Sequence, residues 1–152
     1  MNNETQLSEL HPIVQPYFRA FVKDIEVMGF KVIVTDCLRT IAKSAELKKL
    51  NPKNAAPGLS SHNYGTAMDL NVVKGGKQYM KATPLADWIA TGIPKLAKEK
   101  YGMRWGGDFN GYKDPIHFDY NNKYNTTQLR DMAIKQFGTL DKMIVSQLKI
   151  AL

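Results

Sequence analysis

Cysteine is nearly absent from this chain: Cys37 stands alone among 152 residues. A single thiol excludes an internal disulfide, so oxidative stapling does not hold the domain together. Val32, Ile33, Val34 and Leu38 surround Cys37 in the sequence, and this company reads as a small buried apolar residue rather than a nucleophile. Long apolar runs are missing too. No stretch approaches the roughly twenty residues that span a bilayer. The opening residues, MNNETQLSEL, carry no basic region followed by an apolar one, so no secretory signal is expected and synthesis in the cytoplasm is. A target outside the cell would then need another route of release. There is no internal repeat and no low-complexity segment. The helical His-Glu-x-x-His zinc motif is absent, as are zinc-finger spacings and aromatic-basic stacking motifs. Acidic residues are few, 14 against 21 Lys and Arg, giving a formal charge of +7 and a pI near 9.4. That surface favours anionic partners: nucleic acid, anionic lipid or envelope polymers. A nucleic-acid reading rests on charge alone.

What remains is enough for one soluble domain of ordinary size, with 43% hydrophobic and 23% charged residues. Val14, Phe18, Phe21, Val22, Ile25 and Met28 recur at helical spacing, so a helix is expected over 12–28, with Pro12 in its first turn and Gly29 at its end. Lys31–Asp36 is β-branched and reads as a strand, and Thr40 caps a short helix over 40–50. Residues 51–60, with two prolines and a glycine, form a loop. Ala67–Val73 is a strand ending at the turn Gly75-Gly76. Residues 84–101 are helical in two pieces, divided at Gly92 and Pro94. Two short strands, 103–105 and 116–120, flank a glycine-rich loop. The tail, 126–152, reads as one or two helices with a break near Gly138. The absence of regular βαβ alternation makes the class α+β with a small, largely antiparallel sheet.

Three histidines are present, and two keep unusual company. His62 lies in a loop seven residues before Asp69, a carboxylate set between Met68 and Leu70 in an apolar strand, where it is costly unless paired or metal-bound. Alternation puts Ala67, Asp69 and Asn71 on one face, and Gly65 lets the backbone turn so that His62 folds back towards it. His117 lies on another short strand, three residues after Asp114. A His–Asp–His set suits zinc with a fourth position left for water, and Asp114 is a nearby carboxylate able to take that water's proton. On spacing alone, structural and metal-binding roles for His62 and His117 stand level. His11, before a proline at a helix entrance, reads as a surface or capping residue, and Arg39 alone as an ordinary surface cation.

Together these residues resemble a family. Ser60-x-His62-x-x-Gly65-x-Ala67-x-Asp69 is similar to the SxHxxGxAxD motif of the D-alanyl-D-alanine carboxypeptidase and L-alanyl-D-glutamate endopeptidase superfamily of M15 type. Trp105-Gly106-Gly107-Asp108, followed by Asp114-x-x-His117-Phe118, resembles the second half of its signature. The WGGD form is similar to the L-alanyl-D-glutamate branch, which includes many phage endolysins. The resemblance runs from about Arg39 to Phe118. It implies that His62, Asp69 and His117 bind Zn2+, that Asp114 is the general base, where several relatives carry glutamate, that Arg39 steadies the oxyanion, and that Ser60 supports the site by hydrogen bonding. It implies a Hedgehog/DD-peptidase-like fold, helices flanking a small antiparallel sheet that carries the zinc.

The function expected from the resemblance is a zinc-dependent peptidoglycan hydrolase cutting the stem peptide at L-Ala–D-Glu, endolysin-like and acting on the cell wall after release. The alternatives are a D-Ala–D-Ala carboxypeptidase or dipeptidase and, from another class, a zinc-stabilised wall-binding module without catalysis. A single domain over 1–152 is expected, a monomer by default, with 121–152 a helical extension packed on it. That extension carries five Lys or Arg against two acids, so contact with anionic envelope polymers is the rival to simple packing.

Overall fold

The computed structural model describes residues 2–151. Among these, six α-helices surround a five-stranded sheet. The helices are α1 (Asn3–Ser8), α2 (Gln15–Val27), α3 (Ile41–Leu50), α4 (Leu85–Ala90), α5 (Ile93–Tyr101) and α6 (Thr126–Phe137). The strands are β1 (Lys31–Asp36), β2 (Ala67–Lys74), β3 (Lys77–Tyr79), β4 (Arg104–Trp105) and β5 (His117–Asp119). The strand order is β1-β2-β5-β4, with β3 pairing β2, and every pairing is antiparallel. This is the α+β class that the sequence implies.

The core forms on one face of the sheet. Met68, Leu70 and Val72 of β2 alternate with Asp69, Asn71 and Val73 and are fully buried. Phe118 of β5 points the same way, and Phe18, Phe21, Val22 and Ile25 of α2 close over them. Burying one such aromatic or branched side chain contributes about 1.5–3 kcal/mol. The opposite face of β2 and β5 is thereby left to Asp69 and His117, which the register places side by side.

Helix α2 starts at Gln15 rather than Pro12, because the N–H groups of Val14 and Gln15 both bond to the His11 carbonyl in a preceding turn; Pro16 occupies the first helical turn instead. Helix α1 and strand β3 were not legible in the sequence. The Asn3 side chain bonds the Val32 carbonyl (2.8 Å) and the Val34 N–H (2.9 Å), so α1 covers the open edge of β1. In the tail only 126–137 is α-helical. Beyond Gly138 the chain runs through two short 3₁₀ turns, 140–142 and 145–147. Leu129, Ala133 and Leu148 pack with Tyr64 in a second, smaller core, and Leu140, Met143 and Ile150 lean on it. His11 is buried, not superficial. Its Nε2 donates to the Leu148 carbonyl (2.7 Å), tying the tail to the domain, while Nδ1 accepts from the Ile13 N–H. No helix among the described residues is long and apolar enough to cross a membrane.

Candidate metal centre

The loop before β2 is built to deliver His62. Ser60 Oγ accepts from the His62 N–H (3.3 Å), and residues 61–64 form one 3₁₀ turn ended by Gly65 at φ 66°. A side chain at 65 would meet the His11 backbone nitrogen, which donates to the Gly65 carbonyl. Asn63 fixes the loop from inside. Its oxygen accepts from the N–H groups of Gly58 and Ser60, and its amide donates to the Arg39 carbonyl (2.9 Å) and Ser44 Oγ (2.8 Å). The Arg39 N–H in turn bonds the His62 carbonyl (3.0 Å). Arg39 is therefore locked beside His62 although 23 positions separate them in sequence. A register shift in β1 between Val34 and Asp36 brings Asp36 opposite Asp69. Asp36 then pairs with the Arg39 guanidinium at 2.6 Å.

The second loop depends on two glycines that permit close approach. A methyl group at 106 would run into the Asp114 carbonyl and the His117 Cβ, and one at 107 into the Trp105 ring. The Asp114 N–H donates to the Gly106 carbonyl (3.0 Å), and the His117 N–H to the Asp114 carbonyl (3.1 Å). The turn Asp-Pro-Ile-His thus holds the carboxylate and the imidazole of one segment together.

His62, Asp69 and His117 converge as expected, with potential donor atoms all within 4.8 Å of one another. One oxygen of Asp69 receives both rings: His62 Nε2 at 3.1 Å and His117 Nδ1 at 2.9 Å. The other nitrogen of each ring is already committed. His62 Nδ1 lies 2.8 Å from the Cys37 carbonyl, which only accepts, so Nδ1 carries hydrogen and Nε2 is the lone-pair nitrogen. His117 Nε2 lies 2.7 Å from Asp119 Oδ2, so its neutral ring turns the Nδ1 lone pair inward. Two lone pairs and an anionic oxygen facing each other repel unless a cation joins them. The outer partners therefore preset both imidazoles as ligands, and a set of two nitrogens and a carboxylate oxygen fits zinc.

Asp119 and Arg104 are the participants that sequence reasoning missed. Asp119 is completely buried and is gripped by Arg104 through Nε (2.7 Å) and a terminal nitrogen (2.8 Å), with the Asn121 N–H on its Oδ1 (2.9 Å). Alternation held the signal, since positions 117 and 119 share a strand face. The electrostatics follow. Burial raises the Asp69 carboxyl, but the two imidazoles overcome this and hold it well below the usual carboxylate range. Burial likewise opposes the charge on Asp119, and His117 and Arg104 bring it down to about 2. Burial disfavours a charged His117, but hydrogen bonds to Asp119 and Asp69 push it up to about 10. Without a metal ion, a second proton on His117 serves the same electrostatic purpose.

These groups floor a cleft of about 660 Å³ that Arg39, Ser60, Lys81, Tyr112 and Asp114 also line. Ser60 acts through the backbone of His62, as the capping bond shows. Asp114 has one carboxylate oxygen buried with no hydrogen-bond partner. Its acidity is weakened first by burial and then by the negative charge of Asp69, against opposing pulls from His117, Lys81 and His62. Cys37 offers no nucleophile: burial, and then the charges of Asp36 and Asp69, push its thiol far up.

The fold and the donor set define a class, a metal-dependent peptidase of α+β build. Comparison narrows the class. Residues 53–120 match a family model described as D-alanyl-D-alanine carboxypeptidase. The chain is 30% identical over 130 residues, 74% of each protein, to the peptidoglycan L-alanyl-D-glutamate endopeptidase CwlK of Bacillus subtilis. It is 30% identical over 103 residues to the L-alanyl-D-glutamate peptidase of Listeria phage A118, covering 64% of this chain and 33% of that one. In fold it resembles the L-Ala D-Glu endopeptidase ChiX of Serratia marcescens (TM-score 0.59, 23% identity, 81% of this chain and 90% of that one). It also resembles the LD-carboxypeptidase LdcB (TM-score 0.50, 20% identity, 87% of this chain and 66% of that one). The chain belongs to the M15 peptidase family.

Proposed function

We propose that this protein is a zinc-dependent peptidoglycan hydrolase that cuts the stem peptide between L-Ala and D-Glu. The observation that carries the reading is the unpartnered, buried oxygen of Asp114 in the same cleft as the His62–Asp69–His117 donor set. A cell-wall-binding module would need the donors but not a carboxylate left without a partner at a cost of about 1–3 kcal/mol. The names of CwlK and the phage A118 peptidase support the choice of bond.

His62, Asp69 and His117 would hold zinc, which when bound supplies a Lewis acid and brings the pKa of a water near 7. Asp114 accepts a proton from the attacking water while the water oxygen bonds to the scissile carbonyl carbon. Arg39, steadied by Asp36 and by its backbone bond to His62, balances the charge that develops on the carbonyl oxygen. The carbon–nitrogen bond then breaks, and Asp114 returns its proton to the leaving nitrogen. The weakened acidity of Asp114, caused first by burial, suits both halves of this exchange.

Mass spectrometry of muropeptides after digestion tests the assignment. A new fragment beginning with D-Glu is the expected product. Release of a terminal D-Ala instead would favour the carboxypeptidase reading, which the description of the matching family model supports. The similarity to a phage peptidase supports a role in lysis; added to purified walls, the protein then clears them without other enzymes.

A further inference from the structure

Four cations line the cleft, Arg39, Lys53, Lys81 and Arg104. Arg39 is paired with Asp36 at 2.6 Å, and Arg104 is bound through two nitrogens to Asp119. Both are committed to the architecture of the site. Lys81 is different. Like Lys53 it forms no ion pair among the described residues, but unlike Lys53 it is held: its ammonium stands over the Tyr112 ring, 5.1 Å from the centroid. Lys81 lies in the loop after β3 and Tyr112 in the loop between β4 and β5, so two segments with no shared strand meet at this end of the cleft. Fixing a flexible lysine stem costs rotamer entropy, and stacking on an aromatic ring offsets part of that cost before any ligand arrives.

The position of Lys81 has a chemical meaning. Its ring partner Tyr112 stands two residues before Asp114 in the same loop, and after Tyr112 the charges of Asp114 and Asp69 act on it, which puts it beside Asp114. In the proposed reaction Asp114 gives its proton to the leaving nitrogen, so this is the leaving-group side. The leaving nitrogen of an L-Ala–D-Glu bond sits on the α-carbon of D-Glu. Where D-Glu continues the chain through its γ-carboxyl, the same carbon carries a free carboxylate. Two carboxylates already stand here, so a third anion needs a cation to receive it.

We propose that Lys81, held against Tyr112, binds the free α-carboxylate of the residue on the leaving side of the scissile bond, and so selects an acidic residue there over its amidated form. This rests on the L-Ala–D-Glu reading. The test uses the zinc-loaded full chain and two synthetic peptides, L-Ala–γ-D-Glu–L-Lys with the D-Glu α-carboxylate free or amidated. The wild type favours the acid by about ten- to a hundredfold in kcat/KM, mainly through KM, as expected for a charge-assisted hydrogen bond. In Lys81→Met the two peptides become equal within about threefold, and Lys81→Arg recovers part of the preference. Lys81 is exposed, so circular dichroism of Lys81→Met matches the wild type. A wild type without preference, or a Lys81→Met that keeps it, overturns the inference and leaves the cleavage reading standing. A wild type that cuts neither peptide at this bond overturns both.

Discussion

Replacing Asp119 by asparagine tests how the metal centre is held. The buried carboxylate accepts four hydrogen bonds: from His117 Nε2, from two nitrogens of Arg104 and from the Asn121 N–H. Asparagine fills the same space with one acceptor oxygen. If that oxygen faces the Asn121 N–H, its amide nitrogen faces His117 Nε2, donor against donor. His117 then shifts its proton to Nδ1, the nitrogen turned towards Asp69, and loses the lone pair a metal needs. In the other orientation the Asn121 N–H is left buried and unpaired. The Arg104 side chain is 42% exposed, so water takes up its lost bonds and the penalty falls inside. One charge-assisted bond of about 1.5–3 kcal/mol is at stake, and removing such a partner from a metal-ligating histidine costs about ten- to a hundredfold in affinity. Asp119→Asn should therefore weaken zinc by that factor. The assay is competition with a chromophoric chelator at pH 7, with circular dichroism to show that the chain is folded. A folded Asp119→Asn that binds zinc within about threefold of the wild type would refute the reasoning.

Asp114→Ala should keep its zinc and lose about two to four orders of magnitude in turnover; near-full activity in a kinetic assay would remove Asp114 from the proton transfers. Gly106→Ala should cost about 1–3 kcal/mol in urea unfolding and lower activity as well, because the added methyl displaces the Asp114 carbonyl and the His117 Cβ. Zinc binding at pH 7 should release about one proton, since His117, raised to about 10, must give up its second one; titration calorimetry in buffers of different ionisation enthalpy would read this, and no release would contradict the raised value. The same group sets a stability trend in the metal-free protein. Its folded value lies above the ordinary 6.5, so its contribution is complete below about 6.5 and is lost as the pH rises through about 10. Unfolding in the presence of a chelator should show this loss in the wild type and not in His117→Asn.

Where local chemistry decides structure, the sequence was readable. The β-branched run Lys31–Asp36 became β1 without adjustment, Thr40 caps α3 by accepting from the Lys43 N–H, and Gly92 with Pro94 divides α4 from α5. The alternation around Asp69 and the turn at Gly65 brought His62 and Asp69 together as the pattern implies. What stayed hidden depends on distant partners. Nothing near His11 announces that its ring will reach the carbonyl of Leu148. Strand β3 is three residues of mostly exposed chain that exist as a strand because β2 offers an edge. Beyond Gly138, Leu140, Met143, Ile144 and Leu148 keep a helical spacing, yet the chain runs through two short 3₁₀ turns that pack Leu140, Met143, Leu148 and Ile150 around Tyr64. Asn63 and Asp119 read as ordinary polar residues, yet one locks Arg39 beside His62 and the other sets the proton on His117.

The central claim is that His62, Asp69 and His117 hold the metal on which hydrolysis depends. Metal analysis of the purified chain, measured together with its hydrolysis of stem peptide before and after chelation, tests this most directly. The account predicts about one equivalent of zinc, activity that disappears with the metal and returns on adding it back, and neither metal nor activity in Asp69→Ala. Undiminished hydrolysis by the metal-free chain, or a full complement of zinc in folded Asp69→Ala, would contradict it.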